Sequence, residues 1–270
     1  MIQEPRLSLV AGALLLVLCI FGLSAMPAGG GTPPFDHLYQ VSTIDALLEG
    51  EYNGTCTIAE LVRAGDTGIG TFHRLDGELV MVDGCVYQAL STGEVVRAGS
   101  DQTTPFAAVN RFRADRSFEL GPVPNLSSLE EELDGMLATK ERFTMVRVDG
   151  TFEQVKVRAP PAQDLPYPRL VDAIAGQQVF DLYQVPGTLV GTFSPESAKG
   201  TSVPGWHLHF ISTDRRSGGH VLEVVTNRPV NVKLDELSDF TVRYPEGSGV
   251  RPGNLSENLS SDLIVVEKGR

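Results

Sequence analysis

Pro204-Gly205-Trp206-His207-Leu208-His209-Phe210 reads as the entry of a β-strand. Side chains alternate along a strand, so His207 and His209 share one face while Leu208 and Phe210 share the other, apolar one. Asp214 to Gly219 supplies turn residues, and His220 begins the next strand. An antiparallel return brings His220 opposite the first pair. Three imidazoles then converge on one point and leave positions open for water or substrate, as in a catalytic rather than a closed structural metal site. Three nitrogen ligands without thiolate suit zinc first, with iron, nickel or manganese after it. Hydrogen-bonded core histidines would explain one such residue. They explain a same-face pair plus a third histidine after a glycine turn less well.

The surrounding sequence is strand-rich. Val179 to Val185, Thr188 to Phe193, Trp206 to Ser212 and His220 to Val225 alternate or run apolar. The tail from Pro245 to Ser261 is polar, and Asp262 to Glu267 reads as a last short strand. Further upstream, Thr43–Leu48 and Thr57–Ala64 read as helices, the second with a Thr57/Glu60 capping box. Asp76-Gly77 separates strand Gly70–Leu75 from Glu78–Val82, and Asp83-Gly84 leads into Cys85–Leu90. Ser128 caps a helix through Leu137, with Glu130 to Glu132 in its first turn. Asp149-Gly150 reads as a hairpin turn from Phe143–Val148 to Thr151–Arg158, and the four prolines in Ala159–Pro168 mark a linker. Phe35–Val41 echoes Phe180–Val185, and Gly70-Thr71-Phe72 recurs as Gly191-Thr192-Phe193, which hints at two related halves. The expected fold is α+β and β-rich: two related strand-rich halves, a mixed sheet and a β-barrel-like half, after an N-terminal segment. The corresponding boundaries are 1–30, 31–165 (α+β) and 166–270 (metal-binding, β-rich).

Leu7 to Phe35 carries no charge, Arg6 precedes it, and Gly22, Ser24, Ala25 and Ala28 follow its apolar core. This reads as a signal peptide or an uncleaved membrane anchor through residues 9–26, so the chain is expected to be exported. Beyond the leader two cysteines remain, Cys56 and Cys85, as a pair or as two free thiols. The net charge of −12 and pI near 4.9 argue against a nucleic-acid partner. They also mean that an anionic substrate needs a local cation.

The wider sequence narrows the reading. Gly187-Thr188-Leu189-Val190-Gly191-Thr192-Phe193, Val203-Pro204-Gly205-Trp206-His207-Leu208-His209-Phe210 and Gly218-Gly219-His220-Val221-Leu222 resemble the C-terminal half of acetolactate decarboxylases. Thr57-Ile58-Ala59-Glu60-Leu61, Gly68-Ile69-Gly70-Thr71-Phe72 and Leu75-Asp76-Gly77-Glu78-Leu79 are similar to the same family in the same order. The resemblance runs from about Tyr39 to Glu267. It implies zinc on His207, His209 and His220, and a pocket carrying Glu78, Arg158 and Glu267. It also implies a small 2-hydroxy-3-keto acid substrate, 2-acetolactate, decarboxylated to acetoin, and a homodimer. Trp206 stands where the family leads one to expect tyrosine. Without the resemblance, Glu78 reads as a solvent-facing residue after a turn, Arg158 as exposed beside Gln154 and Lys156, and Glu267 as part of a loose chain end. Two other classes stay open: another three-histidine barrel metalloenzyme of the cupin kind, an oxygenase or isomerase, and an exported binding module without catalysis.

Overall fold

In chain order the elements are β1 (His37–Val41), α1 (Ile44–Leu48), β2 (Cys56–Thr57), α2 (Ile58–Ala64), β3 (Thr67–Thr71), β4 (Glu78–Val82) and β5 (Cys85–Ala89). They continue with β6 (Val95–Arg97), β7 (Thr103–Thr104), β8 (Ala107–Asn110), β9 (Arg116–Leu120), α3 (Leu126–Met136), β10 (Phe143–Ala159) and α4 (Leu170–Ala173). Last come β11 (Gln178–Ser194), β12 (Gly205–Ser212), β13 (Gly218–Val225), β14 (Val230–Leu237), β15 (Asp239–Arg243) and α5 (Ser260–Lys268). This is a computed structural model; it describes residues 35–245 and 259–268, and Met1. The expected leader, with its apolar run through residues 9–26, lies outside the described residues. Among the described residues no helix is long and apolar enough to cross a membrane.

Two sheets carry the fold. The first is seven-stranded, in the order β15-β1-β8-β3-β4-β5-β6, and mixed: β15 runs parallel to β1 while β8, β3, β4, β5 and β6 pair antiparallel. The second has the order β11-β12-β13-β10-β14-β9, and β11 also pairs with β10 along nearly its whole length. Strands β10, β11, β12 and β13 therefore close into a ring, the barrel-like element read from the sequence. The sheets do not divide at residue 165. Strands β9 and β10 lie in the second sheet, and β15, from near the C-terminal end, joins the first.

Side-chain alternation explains how the sheets meet. On β12, Trp206, Leu208 and Phe210 point into the barrel core beside Val155, Val157 and Val221. Ile211 points out, and with Met145 and Val190 it packs on Leu38, Ile69, Val80 and Val82 of the first sheet. His207 and His209 share that outward face. On β4, Leu79 and Met81 face the helix α2 side, so Glu78, in phase with Val80 and Val82, faces the second sheet.

Several local readings change. The Asp149-Gly150 pair is not a turn, and β10 runs straight through it. The Asp149 carboxylate accepts from Arg147 Nε at 2.9 Å and Thr188 Oγ1 at 2.8 Å, which uses the side chain a turn would need. Gly150 leaves room for Val230, whose Cγ1 would stand 2.6 Å from any Cβ there. The Asp76-Gly77 hairpin exists, but its first strand ends at Thr71, and His73–Leu75 is a 3-10 turn. Asn125, not Ser128, caps α3; its side chain accepts from the Ser128 amide at 2.8 Å, and the first turn holds no acidic residue. The tail segment is helix α5, not a strand. Leu259, Leu263 and Val266 recur at helical spacing and pack on Leu170 and Ile174. Cys56 and Cys85 are both free thiols.

Strands β11 and β12 approach closely at Gly191, where a Cβ would lie 2.0 Å from the His207 carbonyl oxygen. Gly191→Ala must therefore push β11 off the histidine strand, at a cost of about 1–3 kcal/mol, the range of overpacked core substitutions. At Gly121 a Cβ would meet nothing within 4 Å, and Gly121→Ala is expected to shift stability by about 0.5 kcal/mol or less. Urea unfolding of both variants checks this; an unchanged midpoint for Gly191→Ala would disprove the close approach.

Candidate active site

The three histidines converge as their spacing implies. His209 and His220 are direct partners across β12 and β13. Strand β13 already begins at Gly218, so the two glycines belong to the strand rather than the turn. Gly219, at φ 146°, lies against β10, where a Cβ would meet the Arg158 carbonyl oxygen at 2.5 Å. One ring nitrogen from each of His207, His209 and His220 lies within 4.8 Å of the others, and all three residues are buried. His207 Nε2 and His220 Nδ1 stand 3.1 Å apart.

The Leu79 carbonyl, 2.9 Å away, accepts a hydrogen bond from His209 Nδ1. This bond fixes the tautomer and leaves Nε2 as a bare acceptor. That Nε2 is buried and has no hydrogen-bond partner. Burial, and then the neighbouring His207, holds His209 well below the usual imidazole range. Burial, followed by Arg158, does the same for His220. Both rings are thus neutral at pH 7, the state that ligates metal. A buried nitrogen without a donor, on one of three converging imidazoles, fits a divalent cation.

Around this triad stand the two glutamates and the arginine. Glu78 Oε2 lies 3.6 Å from His209 Nε2. Glu267, on α5, brings Oε2 to 3.7 Å from His207 Nε2 and 3.9 Å from His220 Nε2. Helix α5 thus carries Glu267 to the histidines rather than leaving it loose at the chain end. Arg158 is buried, not exposed. It shares a strand face with Gln154 and Lys156, but at its end of β10 it joins Glu78 of the first sheet and Leu170 of α4 in lining one cleft. Its Nη1 donates to Gln177 Oε1 at 3.1 Å. Burial pushes the Glu78 carboxyl up to about 8, with Arg158 opposing the push and Glu267 adding to it.

All six residues line one cleft with about 440 Å³ of empty space, part of it open to solvent. Apart from Thr71 its remaining wall is apolar, with Ile44 and Leu47 of α1, Leu75, Phe106, Leu170 and Ile174 among its residues. Sequence reading missed this wall, and it missed Gln177 and the Leu79 carbonyl. The short helices α1 and α4 carry too few residues for a periodic signal, and a backbone acceptor leaves no residue signature. Trp206 does not line this cleft. It packs on Phe193 at 5.3 Å between ring centroids, and its indole N–H donates to Asp134 at 2.9 Å.

The family model for alpha-acetolactate decarboxylase matches residues 38–256. The chain belongs to this family. The alpha-acetolactate decarboxylase of Methanosarcina mazei is 46% identical over 233 residues, covering 86% of this chain and 81% of that protein. That of Bacillus subtilis is 34% identical over 246 residues, covering 91% of this chain and 96% of the other. The crystal structure of the Bacillus subtilis enzyme superposes with a TM-score of 0.82, over 87% of this chain and all of that one. Five of the six residues at the cleft lie inside the span matched by the family model. Glu267 lies beyond it, and the structure alone brings it to the histidines.

In the metal-free protein, nitrogen-15 spectra of the histidine rings should show His209 as a neutral Nδ1–H tautomer and His220 as neutral, both at pH 6. An imidazolium signal for either ring at pH 6 would contradict the buried, Leu79-anchored arrangement.

Proposed function

We propose that this chain decarboxylates 2-acetolactate to acetoin and CO2 with a divalent metal, zinc first, on His207, His209 and His220. The observation that carries the metal is the buried, partnerless Nε2 of His209 inside the convergent histidine triad. Family membership carries the reaction.

The substrate is a β-keto acid with a hydroxyl beside its ketone. Loss of CO2 leaves an electron pair on carbon, and the adjacent ketone is the built-in acceptor, so no organic cofactor is needed. A bound divalent metal would supply a Lewis acid for the ketone and hydroxyl oxygens. Arg158 supplies the local cation that an acidic chain otherwise lacks, and its guanidinium binds the substrate carboxylate as a fork. Gln177 holds that guanidinium from behind. Glu78 and Glu267 flank the triad on two sides, where they hold the hydroxyl and handle the proton that lands on carbon. The apolar wall takes the methyl groups and excludes water. The charge-free run Leu7–Phe35 supports export of the chain, and the family resemblance supports a homodimer.

Acetoin release from racemic acetolactate is the test. Activity should vanish with a chelator and return with zinc, and His209→Ala should lose both bound zinc and activity while staying folded. A metal-free, fully active protein would defeat the metal assignment; a folded, zinc-loaded protein without acetoin would defeat the substrate. Arg158→Gln should raise KM about 10- to 100-fold, the worth of one charged hydrogen-bonded contact. Glu78→Gln should act mainly on kcat, by about 100-fold or more; equal turnover would return Glu78 to a structural role.

A further inference from the structure

A second cluster of oxygen ligands lies apart from the histidine cleft. Carboxylate oxygens of Asp36, Asp115 and Asp235 come within 4.8 Å of one another. They reach this point from both sheets: Asp235 sits on β14, Asp36 directly precedes β1, and Asp115 directly precedes β9. Asn110, at the end of β8, joins them through Nδ2, which donates to Asp235 Oδ2 at 2.7 Å. None of these residues lines the histidine cleft.

Each carboxylate uses only one oxygen among the described residues. Asp235 Oδ2 also accepts from the Arg113 amide at 2.8 Å. Asp115 Oδ2 accepts from the Glu236 amide at 2.9 Å. Asp36 Oδ1 accepts from Arg113 Nη2 at 3.4 Å. Asp235 and Asn110 are both fully buried, and Oδ1 of each is buried without a donor. Two orphaned oxygens of this kind cost about 1–3 kcal/mol each unless something occupies them. The Arg113 guanidinium reaches Asp36, whereas Asp235 meets only the Arg113 backbone amide.

We infer that Asp36, Asp115 and Asp235 form a second cation site suited to calcium, with the Asn110 amide beside it. The donors are oxygen only, which disfavours zinc and favours a hard cation. Asp36 and Asp115 sit outside regular strands, the first half-buried and the second exposed, which leaves room for the high, irregular coordination with water that calcium accepts and magnesium resists. The cation ties β14 of one sheet to β8 and the start of β1 in the other, so its effect is structural. Burial, opposed by the Arg113 and Asn110 hydrogen bonds, pushes the Asp235 carboxyl up to about 6.

The test uses the purified zinc-loaded protein at pH 7.5 and constant ionic strength, with calcium chloride, magnesium chloride or sodium chloride added. Calcium should bind at one site per chain by calorimetry. At tenfold excess over Kd it should raise Tm by about 3–5 °C, and magnesium should do markedly less. Asp115→Asn, an exposed and isosteric change, should weaken calcium binding at least tenfold. Asp235→Asn should abolish the response and raise the calcium-free Tm, because its amide oxygen keeps both hydrogen bonds while the buried charge is gone. His209→Ala should leave the response intact. No calcium binding by the wild-type protein, an unchanged response in Asp115→Asn, or a response lost in His209→Ala would each overturn the site.

Discussion

The pairing of His209 with His220 across β12 and β13 is the constraint on which the site depends. A slip of one residue would turn His207 and His209 into the barrel core and bring Trp206 and Leu208 outward. Two glycine contacts hold the register. Gly191 lets β11 close on β12, and Gly219 lets β13 close on β10 beside Arg158. The Leu79 carbonyl then fixes the His209 ring from the opposite sheet. The triad is thus aligned by backbone on both sides, and its geometry does not rest on flexible side chains alone.

The location explains the electrostatics. The histidines sit on the outside of the barrel, yet the first sheet covers that face, so they occupy a seam between two sheets. A seam is dry enough to keep imidazoles neutral and to raise a carboxyl, while one end stays open to solvent. Charges buried in such a place must be few and mutually arranged. Glu78, Glu267 and Arg158 meet this requirement: burial and Glu267 raise the Glu78 carboxyl, and Arg158 opposes that rise. A surface with a net charge of −12 would otherwise repel an anionic substrate.

Much of this was legible in residues. Alternation around His207 and His209, the capping box at Thr57 and Glu60, and the Asp83-Gly84 turn all have local causes, and each is found where the residues put it. The cap of α3 was misplaced locally, by three residues, but the larger failures share one origin: the decisive partner is remote in sequence. Asp149-Gly150 has turn chemistry, but Thr188 and Lys233 claim the Asp149 carboxylate and hold the strand extended. Arg158 has an exposed strand's neighbours, but it is buried in a cleft it shares with Glu78 of the other sheet. The last segment is apolar enough for either a strand or a helix, and packing of Leu259, Leu263 and Val266 on α4 decides for the helix. The halves expected on either side of residue 165 share strands, because sheet order follows pairing rather than position along the chain.

The parallel pair β1–β15 joins His37 to Asp239 and Val41 to Arg243. Its two strands are separated by nearly the whole folded chain, so the loop to be closed is among the longest the molecule contains. Closing it carries the full entropic penalty of a distant contact, and such topologies fold slowly. Until residue 243 is available, β1 has only β8 beside it and its outer edge is bare. During synthesis the first sheet therefore waits for β15, the last of the described strands. The growing polypeptide carries an unprotected edge through that interval, the kind of surface that chaperones cover.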